Sequence, residues 1–153
     1  MTGTLKLRAV LAVCLLLASV PAIASLGGDE ASVQSDAARM KAVLTTTRES
    51  AYTLHQFQTP DGVSVREYLS PSGKVFAVAW QGPYAPNLKQ LLGSYSAQFE
   101  QAVQASNRPT RRGPVTVQQS NLVVQLSGHM GAFSGRAYLT DQLPAGVTTE
   151  AIR

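Results

Sequence analysis

The sequence predicts an α+β fold: an antiparallel sheet of about five strands, in the order α-β-β-β-α-β-β, with the second helix packed on one face. Three observations lead there. Runs rich in Val, Tyr, Phe and Thr follow one another between residues 52 and 81, separated by near-copies of one Pro/Gly turn. An apolar stripe at helical spacing then runs from Leu88 to Val103, and strand-like runs resume at Val115.

Taken in chain order, the first segment is an address and not part of the fold. Lys6 and Arg8 precede an apolar run from Ala9 to Val20, and Pro21-Ala22-Ile23-Ala24 ends in the small-x-small pattern of a signal-peptidase site. Residues 1–24 are therefore expected to be a cleaved signal peptide, with the mature chain starting at Ser25. The apolar run is too short, and too close to Pro21, for a membrane span of about 20 residues. The only cysteine, Cys14, lies inside that run and not after the cleavage point, so no lipoprotein anchor is expected.

Leu26-Gly27-Gly28 reads as a flexible lead. Val33, Ala37, Met40 and Leu44 then mark a helix from about Glu30 to Thr45, with Asp29 or Ser32 as cap and Thr45-Thr46-Thr47 as its stop. Tyr52 to Gln58, Val63 to Ser70 and Lys74 to Gln81 form a three-strand meander, joined by Thr59-Pro60-Asp61-Gly62 and Ser70-Pro71-Ser72-Gly73. Val75 to Trp80 is apolar at every position and so is expected to be a strand covered on both faces. Asn87, with Gln90 three residues on, opens a helix from Leu88 to Ala105, where Gly93 suggests close packing against the sheet. Val115 to Gln119 and Leu122 to Ser127 read as one strand bulged at Ser120-Asn121, with Ala132 to Thr140 as its partner. Leu143 to Arg153 reads as a loosely held tail of the single domain 25–153.

Charge and cysteine content narrow the function classes. Cleavage after Ala24 removes two basic residues and no acid, so the formal net charge of +4 falls to +2, too small a surplus for a nucleic-acid stripe. The mature chain has no thiol for disulfides or catalysis. His55 and His129 are the only histidines and no metal-ligand spacing accompanies them, so no metal or other cofactor is expected. Gly131-Ala132-Phe133-Ser134-Gly135 has its glycines at the wrong distances for a nucleophile elbow. Glu67, next to Arg66, reads as part of a solvated strand face, His55 as a half-exposed strand residue and His129 as a polar turn residue.

Two surfaces stand out as binding candidates. Arg108, Arg111 and Arg112 are the densest positive cluster, and Trp80 with Tyr84 form an aromatic strand end, although alternation with Phe76 and Val78 also suits Trp80 to the core.

The strings Ala24-Ser25-Leu26-Gly27-Gly28, Val65-Arg66-Glu67-Tyr68, Val75-Phe76-Ala77-Val78-Ala79-Trp80-Gln81-Gly82-Pro83, Leu91-Leu92-Gly93 and Phe133-Ser134-Gly135-Arg136-Ala137-Tyr138-Leu139 occur in this order. Together they resemble the domain of unknown function 2844 (DUF2844) family over nearly the whole mature chain. The resemblance implies a small exported protein of Gram-negative proteobacteria, with no assigned activity. The expectation is a non-enzymatic periplasmic or secreted protein that binds an envelope protein or polysaccharide, without nucleic acid and without a stable membrane anchor. The alternative is a small envelope hydrolase or ligand-binding domain using His55, His129 or Glu67.

Overall fold

Proline at the second position and glycine at the fourth close both expected turns. Gly62 N–H donates to Thr59 O at 2.9 Å and Gly73 N–H to Ser70 O at 2.8 Å, each glycine at positive φ. The computed structural model describes residues 25–39, 42–106 and 114–153. In chain order these hold α1 (Glu30–Arg39), β1 (Val43–Arg48), β2 (Thr53–Gln58), β3 (Ser64–Leu69), β4 (Val75–Gly82), α2 (Leu88–Leu92), a 3₁₀ turn (Gly93–Tyr95), α3 (Ser96–Ala105), β5 (Val115–Gln119), β6 (Leu122–His129), β7 (Ala132–Leu139) and a second 3₁₀ turn (Thr149–Ala151).

The strands form one antiparallel sheet in the order β1-β2-β3-β4-β7-β6-β5. This corrects the expected five-strand α+β arrangement: among the described residues the fold is a seven-stranded sheet with few helical residues. Two local misreadings account for the difference. The Thr45-Thr46-Thr47 run does not stop a helix; it is the middle of β1, paired with His55 and its neighbours on β2. β-branched residues suit an extended edge strand as well as they suit a helix terminus. Ser120-Asn121 is not a bulge but a two-residue turn between β5 and β6, since Gln119 pairs with Leu122 and Ser120 has φ +51°.

The expected second helix is broken. Asn87 caps it as anticipated, its Oδ1 accepting from Gln90 N–H at 3.2 Å, but Gly93 takes φ +52° and ends α2. A Cβ on Gly93 would lie 2.0 Å from Ser25 Oγ, so the glycine receives the start of the described chain and not the sheet. Ser25 to Asp29 is accordingly no flexible lead. Leu26 N–H donates to Leu91 O, Gly27 N–H to Val75 O, and Val75 N–H to Gly28 O, at 2.8 to 3.0 Å. Asp29 then caps α1 reciprocally with Ser32: Ser32 N–H donates to Asp29 Oδ1 and Asp29 N–H to Ser32 Oγ, both at 3.0 Å.

Period-two alternation sorts the sheet into two faces, interrupted once where the β3–β4 register shifts between Tyr68 and Leu69 and Phe76 joins Ala77 on one side. Phe57, Val65, Val78, Trp80, Val124 and Leu139 point to one, under Leu26, Val33, Leu91 and Leu92 from the helical layer. Tyr68, Phe76, Ala77, Ala79, Val123 and Tyr138 point to the other, where Leu143, Val147 and Ile152 cover them. Every residue from Val75 to Trp80 is buried, as expected of a strand enclosed on both sides. The segment 143–153 is thus not a loose tail but a strap: Ile152 is wholly buried, and Tyr68 Oη both donates to Arg153 O (3.0 Å) and accepts from Arg153 N–H (3.1 Å).

Candidate functional site

The strand register puts His55 and Glu67 side by side on the helix-covered face, in the cross-sheet row Thr46, His55, Glu67, Val78, Ala137, Val124 and Val117. Both are buried, His55 at 1% and Glu67 at 0% exposure, which corrects the half-exposed and solvated positions expected of them. His55 follows Phe57 inward because the two share one side of β2. Its Nδ1 lies 3.1 Å from Thr46 Oγ1, and its Nε2 lies 3.7 Å from Glu30 Oε1. Burial pushes the His55 pKa below its ordinary value, outweighing the upward pull of Glu30, while Arg48 adds to the depression. His129 sits apart, exposed at the end of β6, with Nδ1 3.2 Å from Met130 O. The two histidines and Glu67 therefore do not share a cleft.

Trp80 is 4% exposed and Tyr84 60% exposed, so only Tyr84 offers its ring to solvent. In register Trp80 lies between Val65 and Gly135, and a Cβ on Gly135 would stand 2.3 Å from the indole. Trp80 is core filler laid over a glycine. Arg108, Arg111 and Arg112 lie outside the described residues. Among the described residues no group of three or more His, Cys, Asp and Glu is gathered that could hold a metal, and no helix is long and apolar enough to cross a membrane.

The concave surface lies on the strap side, and the sequence reading did not single it out. Two adjacent rows of the sheet lie on that side: Gln56, Arg66, the buried Ala79, Arg136, Gln125 and Thr116, then Gln58, Ser64, Gln81, Ser134 and Ser127. A cavity of about 450 Å³ opens over them, with polar groups from Arg66, Gln81, Thr116, Gln125, Ser134 and Arg136 and an apolar wall from Ile152. A second of about 490 Å³ continues toward Tyr52 and Leu54 and shares Arg66, Gln81 and Arg153 with the first. The two adjoin at these shared residues, as a groove that reaches across the strands from β5 to β2.

The strap aims the two strand arginines. Arg66 Nη1 donates to Arg153 O at 2.6 Å; Arg136 Nη1 donates to Thr149 O at 2.5 Å and Ile152 O at 3.0 Å, and its Nε to Gln125 Oε1 at 2.6 Å. Arg66 and Arg136 stand two strand spacings apart, about 10 Å. No Asp, Glu or His side chain lines either cavity. The strap's own Glu150 stays outside the lining. Its carboxyl is held below the usual range by its main-chain N–H, by the Thr148 and Thr149 hydroxyls and, least, by Arg136. At the groove's far end burial, then Glu49 and Tyr68, raise the Tyr52 phenol against the opposing pull of Arg153, so it remains a neutral O–H.

The outward polar residues at alternate positions of β6 and β7, Gln125 and Ser127 with Ser134 and Arg136, are the signal that could have revealed this surface. The missing step was the recognition of the strap that builds its wall.

Against known families, the model described as Protein of unknown function (DUF2844) matches residues 22–152, in agreement with the resemblance read from the sequence. No curated protein and no solved structure matches the chain.

Proposed function

Since the chain belongs to the DUF2844 family, described only as proteins of unknown function, we propose its role from the groove itself: a non-enzymatic exported protein that binds a partner in the cell envelope. The observation that carries this reading is an open groove that is supplied with guanidinium, amide and hydroxyl groups but with no Asp, Glu or His side chain for proton transfer. Such a lining orients a ligand and has no evident means to break it. The hydrolase alternative gains nothing from the geometry, because His55 and Glu67 are buried on the opposite face and His129 is an exposed strand-end residue.

Export is supported by two further points. The family match starts at residue 22 and leaves out the basic and apolar stretch before it, and Ser25 and Leu26 are already buried in the fold. Amino-terminal sequencing of the protein recovered from expressing cells is expected to start at Ser25. Binding is tested by a photo-crosslinking residue placed at Thr116 or Ser127, both exposed on the groove, and at Lys89 on the helical side as control. Irradiation of living cells is expected to give a discrete adduct from the groove positions and none from Lys89. Equal labelling at all three, or none at the groove, would count against a binding role for this surface.

A further inference from the structure

Resting on the reading of the groove as a binding site, we infer that its ligand is an acidic polysaccharide, whose carboxylates meet Arg66 and Arg136 and whose hydroxyls meet Gln81, Gln125, Ser127 and Ser134. Charge complementarity is the first ground. The two cavities hold Arg66, Arg136 and Arg153 with no acidic side chain among their lining residues, so the lining side chains offer an anionic ligand net positive charge, although Glu150 lies near enough to Arg136 to feel it. Each strand arginine is fixed by the strap through part of its donor fork, Arg66 through Nη1 and Arg136 through Nη1 and Nε, which leaves Nη2 on each for a carboxylate. Because the side chains are already held, little rotamer entropy is lost on binding.

Shape is the second ground. The groove reaches across six strands, from β5 to β2, as two adjoining cavities, so it suits an extended chain better than a compact small molecule. Its amides and hydroxyls both donate and accept, as sugar hydroxyls require. The apolar patches at Ile152 and Tyr52 offer surfaces for the C–H faces of sugar rings, with Tyr52 held against Tyr68 at a centroid distance of 5.5 Å.

The test is calorimetric titration of the mature protein with galacturonate oligomers, with a neutral dextran and with polyglutamate. Galacturonate is expected to bind, and neither of the other two. Binding should weaken as salt is raised from about 0.05 to 0.5 M, because the Arg–carboxylate contacts are partly open to solvent. Gln81→Glu and Ser127→Asp each place a carboxylate at an exposed position of the groove and leave the strap bonds untouched, so the fold is preserved. Either is expected to weaken galacturonate binding by about tenfold or more, while Lys89→Glu on the helical side leaves it unchanged.

Dextran or polyglutamate binding as well as galacturonate, or Gln81→Glu and Ser127→Asp leaving the affinity intact, would overturn the inference. If galacturonate fails to bind while the crosslinker at Thr116 or Ser127 still captures an adduct, the ligand class is wrong and the binding reading stands. If both fail, both fall.

Discussion

His55 carries its imidazole into the helix-side core against Thr46, with Glu30 near its other nitrogen, and its protonation is therefore tied to folding. Its pKa in the folded protein is depressed, chiefly by burial, from an ordinary value of 6.5. The unfolded chain thus takes up a proton at a pH where the folded one still excludes it. The corresponding stability is complete above about pH 6.5 and is lost as pH falls from there toward the lower folded value. Glu30 and Arg48, the charged groups that act on the ring, oppose one another and leave desolvation dominant. We expect the urea midpoint of the protein to fall between about pH 7.5 and 5.5, above the usual carboxylate range, and His55→Gln to flatten that fall. A variant whose midpoint declines as steeply as the parent's would show that the imidazole is not the group responsible.

At the scale of elements, the strap decides whether the groove has a wall, and Tyr68 is its principal latch. The phenol takes part in two hydrogen bonds with the main chain of Arg153, one as donor and one as acceptor, while Arg66 holds the same oxygen. Tyr68→Phe keeps the ring among Tyr52 and Phe76 but removes both bonds. We expect a loss of about 1–2 kcal/mol in chemical denaturation and faster amide exchange in residues 149–153, with the rest of the sheet unaffected. An unchanged exchange rate in the strap would mean that Ile152 alone anchors it.

The same element explains what was legible in the sequence and what was not. The meander, its two Pro/Gly turns and the doubly covered β4 follow from local chemistry, and each was readable. The strap was not, because Leu143, Val147 and Ile152 are spaced irregularly among Pro144, Gly146 and two threonines, and the partners that hold it come from β3 and β7. β1 was hidden for a related reason. As an edge strand it is mostly exposed, so it lacks an apolar alternation, and Leu44 happens to continue the spacing of Val33 and Ala37. The groove was missed along with its wall, whereas Trp80 attracted notice by residue type although its indole belongs over Gly135 in the core.

For the whole molecule, β4 is the element on which both cores depend. It is the fourth of seven strands, hydrogen-bonded to β3 on one side and β7 on the other, and it sends Val78 and Trp80 into the helix-side core while Phe76, Ala77 and Ala79 enter the strap-side core. Exposing any of its amides requires parting the sheet at its centre, and that removes apolar contacts from both faces together. β1 is the opposite case, an edge strand with five of its six residues exposed. Amide exchange followed residue by residue is therefore expected to be slowest from Val75 to Trp80, with a denaturant dependence equal to that of global unfolding. The amides of β1 that face away from β2 should exchange through local opening with little such dependence. If β4 instead opened with a smaller dependence than the global transition, the helix-side and strap-side cores would be separate cooperative units, and the sheet would be two structures joined at a seam, not one.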